Sequence, residues 1–180
     1  MRFGMTSNAK RLAVLPLVAA TSLSVVAGTY YLAHHQEEVS ARDRVMGEVV
    51  LTLESGTTLD TESLEGKPTV VMSWATWCPE CLGILTVLSR VENHFADSVT
   101  TIAVNRKEDE QIVRDYRTHY ALPDNIIYTK DVADAYYQQS GGHSMPEVVV
   151  YDQKGALIAH FLALPTEAEL IDIISPLVKP

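Results

Sequence analysis

Cysteine is nearly absent. The 180-residue chain carries two, Cys78 and Cys81, three positions apart. A framework of several disulfides is therefore excluded, and zinc is poorly served, because a structural site needs four ligands and a single Cys-x-x-Cys pair offers two. None of the six histidines (His34, His35, His94, His119, His143, His160) adds finger-like spacing beside that pair. Acidic side chains are missing from the first 36 residues, which hold Arg2, Lys10 and Arg11. Beyond them the balance reverses to 11 basic against 23 acidic side chains, a charge of −12. Such a surface lacks the clustered Lys and Arg that displace counterions from nucleic acid, so no nucleic-acid partner is expected. Repeats and low-complexity tracts are also lacking. The 47% hydrophobic content suits one globular core rather than disorder.

One long run has no charge. Leu12 to Ala33, "LAVLPLVAATSLSVVAGTYYLA", is 22 residues. As a helix it would reach roughly 33 Å, enough to cross the hydrocarbon core of a bilayer. Lys10 and Arg11 before it, with Glu37 and Glu38 after it, orient the N-terminus toward the cytoplasm. Tyr30 and Tyr31 suit the far interface. A signal peptide cleaved at Val25–Ala27 is the alternative, but the run exceeds the roughly 7–15 residues of a signal core, which favours a retained anchor. The expected organisation is a cytoplasmic N-terminus (1–11), a transmembrane anchor (12–33), a polar tether (34–47) and a catalytic domain (48–180). That domain is expected on the periplasmic, extracytoplasmic side of a cell inner membrane.

Within the exported part, "EVVLTL" (48–53) reads as a short strand, and "ESGTTLDTESLEGKP" as turns punctuated by Gly56 and Gly66. "TVVMSW" (69–74) is a dense apolar run, the mark of a strand buried on both faces. A helix is expected from Pro79, then a strand over 99–105 and an acid-started helix over 108–120. A short strand around "NIIYT", a helix over 131–139, a hairpin turning at Asp152 and Gly155, and a closing helix over 166–175 follow. Thr166 and Glu169 form a capping box for that last helix. The "KEDE" start of the helix from residue 108 reads as a solvated terminus favoured by the helix dipole. Helices alternating with buried strands, then a hairpin and a final helix, give an α/β sandwich with a mixed sheet.

The cysteines themselves suit chemistry. A disulfide across three residues closes too small a loop to add much chain-entropy stabilisation. Pro79 is a preferred first residue of a helix, which places Cys78 at a helix N-terminus, facing unpaired amide N–H groups and the positive end of the dipole. Both favour a thiolate, the form that attacks. Cys81, one turn on, lies on the same face and would be the less exposed, resolving thiol.

With "WATWCPEC" after a buried strand, the chain resembles the thioredoxin fold. The wider pattern is similar to the membrane-tethered TlpA/ResA/CcmG (DsbE) branch of thiol–disulfide oxidoreductases. The likeness runs from about Val49 to the C-terminus through "LEGKPTVVMSWATWC", the insert of residues 108–129 and "SMPEVVVYDQKGALI". It implies a mixed central β-sheet flanked by helices, no cofactor or metal, and a cis bond before Pro146, which would pack against the Cys-x-x-Cys loop. It implies that Met145 offers its backbone to an extended substrate peptide. Trp77, immediately before the nucleophile, is expected to shield it or form partner surface, and Trp74 to lie in the core. The activity implied is reduction of exported protein disulfides. Electrons would come from a membrane thiol donor, and cytochrome c maturation is one suggested setting.

Two departures stand out. The branch often carries a buried acid three residues after the second cysteine, where this chain has Ile84, and thioredoxins an acid six before the first, where it has Met72. Glu80, inside the motif, and Glu147, after the expected cis-proline and close to the sulfurs, are the remaining carboxylates. Direction is open, since an oxidase of the same fold differs only in relative potentials. A Sco-like copper chaperone using Cys78, Cys81 and His143 is the other alternative, but those proteins use Cys-x-x-x-Cys.

Overall fold

The computed structural model describes residues 49–142 and 144–178. The expected anchor and tether lie outside them. Among the described residues no helix is long and apolar enough to cross a membrane.

Among the described residues, strands and α-helices follow in the order β1 (Val50–Leu53), β2 (Thr58–Asp60), β3 (Thr69–Trp74), α1 (Cys81–Phe95), β4 (Thr100–Arg106), α2 (Glu110–Tyr120), β5 (Ile127–Asp131), α3 (Ala135–Gln139), β6 (Glu147–Tyr151), β7 (Leu157–Phe161) and α4 (Glu167–Ile174), with short 3-10 turns at Thr61–Leu64 and Ala96–Ser98. The strands form one mixed sheet of order β2-β1-β5-β4-β3-β6-β7. β3 runs parallel to β4, and β4 to β5, while the remaining pairs are antiparallel. The central position of β3 explains its composition, because every one of its side chains is buried.

Period-two alternation divides these side chains between two cores. Val70, Met72 and Trp74 of β3 and Val148 and Val150 of β6 face Ile84, Leu85, Leu88 and Val91 of α1 and Leu170 and Ile174 of α4. Val71, Val149 and Tyr151 face the other way, with Tyr136 of α3. Its hydroxyl meets that of Tyr151 at 3.2 Å, and burial pushes the Tyr136 phenol well above its ordinary value. Thr166 and Glu169 do form the capping box at α4.

Several boundaries differ from the sequence reading. "TLD" pairs as β2 instead of remaining a turn, with Leu59 opposite Leu51. α1 begins at Cys81, so Pro79 and Glu80 belong to the turn ahead of it. The segment from Asp131 is not one helix: Asp131 ends β5, and its carboxylate accepts the N–H of Ala135 at 2.8 Å and of Tyr137 at 3.2 Å. A strand-end aspartate thus caps α3 from outside it.

Candidate active site

The two cysteines sit where β3 gives way to α1. β3 ends at Trp74, Ala75 is buried behind it, and the chain then turns, with the Cys78 N–H donating to the Ala75 carbonyl at 3.2 Å and the Cys81 N–H to the Cys78 carbonyl at 3.2 Å. This turn brings the sulfurs into a disulfide, with S–S 2.07 Å and Cα atoms 5.4 Å apart. Cys81 is the first helical residue, so its amide neighbours have no intrahelical acceptors. Cys78 stands in the turn just ahead. The expected contrast in exposure is not seen in this oxidised state, since Cys78 is 2% and Cys81 1% exposed.

The other expected site residues divide into three groups. Trp77 is 64% exposed and shows the site's largest apolar surface to solvent. Pro79 and Glu80 are also exposed, and the Glu80 side chain makes no capping hydrogen bond to α1. The Met145–Pro146 bond is cis, as the resemblance implied. Pro146 is buried, and Met145 packs against the apolar cluster that contains both cysteines.

Glu147 turns the other way. β6 sends Val148 and Val150 to the cysteine side, which sends Glu147 to the opposite face with Val149. There it is wholly buried, its Oε2 accepting the Ser140 hydroxyl at 3.3 Å and its Oε1 meeting Nε2 of His160. The alternation was readable in "PEVVVY", so the orientation of Glu147 could have been taken from sequence. His143 lies outside the described residues. Among the described residues no group of three or more His, Cys, Asp or Glu side chains is arranged to hold a metal ion.

One participant is not visible in any local pattern. Glu108, expected on a solvated helix start, is instead in the connection between β4 and α2 and hydrogen-bonds Thr76, two residues before Cys78. Asp109 takes the helix cap, accepting the N–H of Gln111 at 2.8 Å. The 32-residue separation of Thr76 and Glu108 leaves no periodic signal.

Comparison with known proteins agrees with this geometry. The sequence matches the Redoxin family over residues 29–170. It is similar to the thiol-disulfide oxidoreductase ResA of Halalkalibacterium halodurans, 27% identical over 176 residues that cover 94% of each chain. A secreted Mycobacterium tuberculosis disulfide oxidoreductase homologous to E. coli DsbE is 25% identical, with TM-score 0.62 over 72% of this chain and 96% of that one. Mycobacterium tuberculosis DsbF, at 22% identity, has TM-score 0.65 over 72% and 95% of the two chains and bears on the fold alone, which is thioredoxin-like.

Proposed function

The chain belongs to the Redoxin family and is a thiol–disulfide oxidoreductase, and we propose that it works outside the cytoplasm as a reductant of disulfide-bearing proteins. The observation that carries the redox reading is the Cys78–Cys81 disulfide at the junction of a fully buried strand and a helix N-terminus.

In the reduced form the Cys78 thiolate attacks one sulfur of a substrate disulfide and expels the other as a thiolate. The Cys81 thiolate then attacks Cys78 in the mixed disulfide, releasing the second substrate thiol and closing the Cys78–Cys81 bond. Two electrons pass to the substrate, and the protein leaves oxidised, the state described above. A further dithiol must return it to the reduced form. In an oxidising compartment that donor is a membrane-embedded thiol protein, since no glutathione pool serves there.

Direction and place rest on two features. Glu80 puts a negative charge inside the motif, which disfavours the thiolate and with it the oxidising direction. The uncharged run over residues 12–33, with Lys10 and Arg11 before it, supports a retained anchor and an exported domain. The substrate class is a protein with an exposed, extended disulfide-bearing segment, for which exposed Trp77 and half-buried Met145 offer apolar contact. Cytochrome c precursors are one such class.

Equilibration of the full chain with defined thiol buffers tests the direction. A potential near or below about −270 mV supports a reductant, and one near about −120 mV identifies an oxidase.

A further inference from the structure

The peptide unit between Ala75 and Thr76 is held from both ends. Its carbonyl accepts the N–H of Cys78 at 3.2 Å. Its N–H donates to Oε2 of Glu108 at 2.7 Å. A peptide unit is planar, so fixing the direction of its N–H also fixes the direction of its C=O. The carboxylate of Glu108 therefore determines, through one rigid plane, where the acceptor for Cys78 points.

The clamp has further bonds. Oε1 of Glu108 accepts the Thr76 hydroxyl at 2.5 Å, and Oε2 also accepts Nδ2 of Asn105 at 2.7 Å. The Glu108 N–H returns to Oδ1 of Asn105 at 3.2 Å. Asn105 is 1% exposed at the end of β4, opposite Trp74 of β3. The carboxylate thus ties the loop after β3 to the loop after β4, at the end of the sheet where the disulfide lies. Hydrogen bonds to a charged acceptor are roughly twice as strong as neutral ones, which suits a fixed loop.

We propose that Glu108 is a positioning residue for thiol–disulfide exchange: through the Ala75–Thr76 peptide unit it holds the Cys78 turn so that the sulfur is aligned with an incoming disulfide. The proposal rests on the redox reading above. Sulfur exchange needs the attacking, central and leaving sulfurs in line, and a misplacement on the order of 1 Å can cost up to ~10²-fold in rate.

The test is the rate at which the reduced full chain, in detergent micelles, reacts with a disulfide-bearing peptide. It is followed from about pH 5 to about pH 10, a span that brackets thiol ionisation. Two quantities come from each profile: the inflection, which reports ionisation of Cys78, and the alkaline plateau, where the thiolate is fully formed and alignment sets the rate. Glu108→Ala is expected to lower the plateau about tenfold or more. Glu108→Asp keeps the charge but ends one methylene short of Thr76, and its plateau falls too. Should the alanine variant not fold, Thr76→Val removes the hydroxyl alone and is expected to give a smaller fall in the plateau.

A moved inflection with an unchanged plateau, or an aspartate variant equal to the parent, would show that the charge suffices and overturn the proposal. So would two unchanged quantities in a folded Glu108→Ala protein. A parent chain without Cys78-dependent exchange would overturn the redox reading itself, whereas a normal parent plateau that the variants leave intact sinks only the role of Glu108.

Discussion

Oε1 of Glu147 faces Nε2 of His160 across β6 and β7, on the side of the sheet away from the cysteines. The carboxylate is wholly buried, and its one further described hydrogen bond is to the Ser140 hydroxyl at 3.3 Å. Removing the histidine strands a carboxylate in the core. His160→Ala is expected to cost about 2–3 kcal/mol, the scale of a buried charged group left short of a partner. Adding Glu147→Gln should recover part of that loss. Urea midpoints of the parent, both single variants and the double variant measure the coupling, and additive effects would refute the pairing.

Gly142 stands against the same carboxylate. A Cβ at this position would run into Oε2 of Glu147 and the ring of Tyr137. Neither can yield freely. The Tyr137 hydroxyl donates to the Ser144 carbonyl at 3.1 Å, and the Arg106 guanidinium lies 3.5 Å from the ring centroid. Gly142→Ala should therefore destabilise the fold by about 1–3 kcal/mol, as overpacking does. Calorimetry should show Tm lower by about 3–10 °C. An unchanged Tm would mean that the strand end simply shifts.

How far these features could be read beforehand depends on the range of the interaction. β3, the redox pair, the cis position at Pro146 and the α4 capping box are written in contiguous residues, by local apolar density, spacing, resemblance and the Thr166–Glu169 pattern. β2 was not legible: three residues of "TLD" have no pattern of their own, and they become a strand because β1 lies beside them. Cys81 rather than Pro79 opens α1 because the Cys78 carbonyl is engaged by the Cys81 N–H in a preceding turn. The acidic residues over 108–110 look alike in sequence. Tertiary contact assigns Glu108 to Thr76, which leaves Asp109 to cap the helix two residues on and Glu110 to pair with the exposed Arg114 one turn later.

Acid should reveal Asp134. Its carboxylate accepts Nε of Arg106 at 2.7 Å, and that hydrogen bond, opposed by burial, holds its pKa below the ordinary aspartate value of 3.8. A group with a lowered folded pKa binds fewer protons folded than unfolded. Its stabilisation is therefore full above the unfolded value and is lost as pH falls through the folded one. Asp134 also adopts the left-handed region at φ 61°, which asparagine tolerates well. Asp134→Asn should be less stable than the parent at neutral pH, with the difference shrinking below the ordinary aspartate value. Denaturant titrations at neutral pH and at about pH 2.5 compare the two proteins. A gap as wide in acid as at neutrality would refute the charge-based account.

The division of labour between the two cysteines has its own signature. Cys78 lies in the turn ahead of α1 and Cys81 opens the helix, and their sulfurs are bonded. If Cys78 is the attacking sulfur, Cys81→Ser leaves the first step intact and removes the second. A mixed disulfide between Cys78 and the substrate then accumulates, because no neighbouring thiolate can displace the substrate. Cys78→Ser should accumulate none at neutral pH, and the parent should release reduced substrate without a lasting adduct. Intact-mass spectrometry after mixing each reduced protein with a disulfide-bearing peptide distinguishes them, and a reducing agent should release the trapped peptide. Both sulfurs are nearly covered in the oxidised state, so burial does not decide between them. The opposite pattern, with the adduct on Cys81 in the Cys78→Ser protein, would exchange the two roles and leave the redox reading in place.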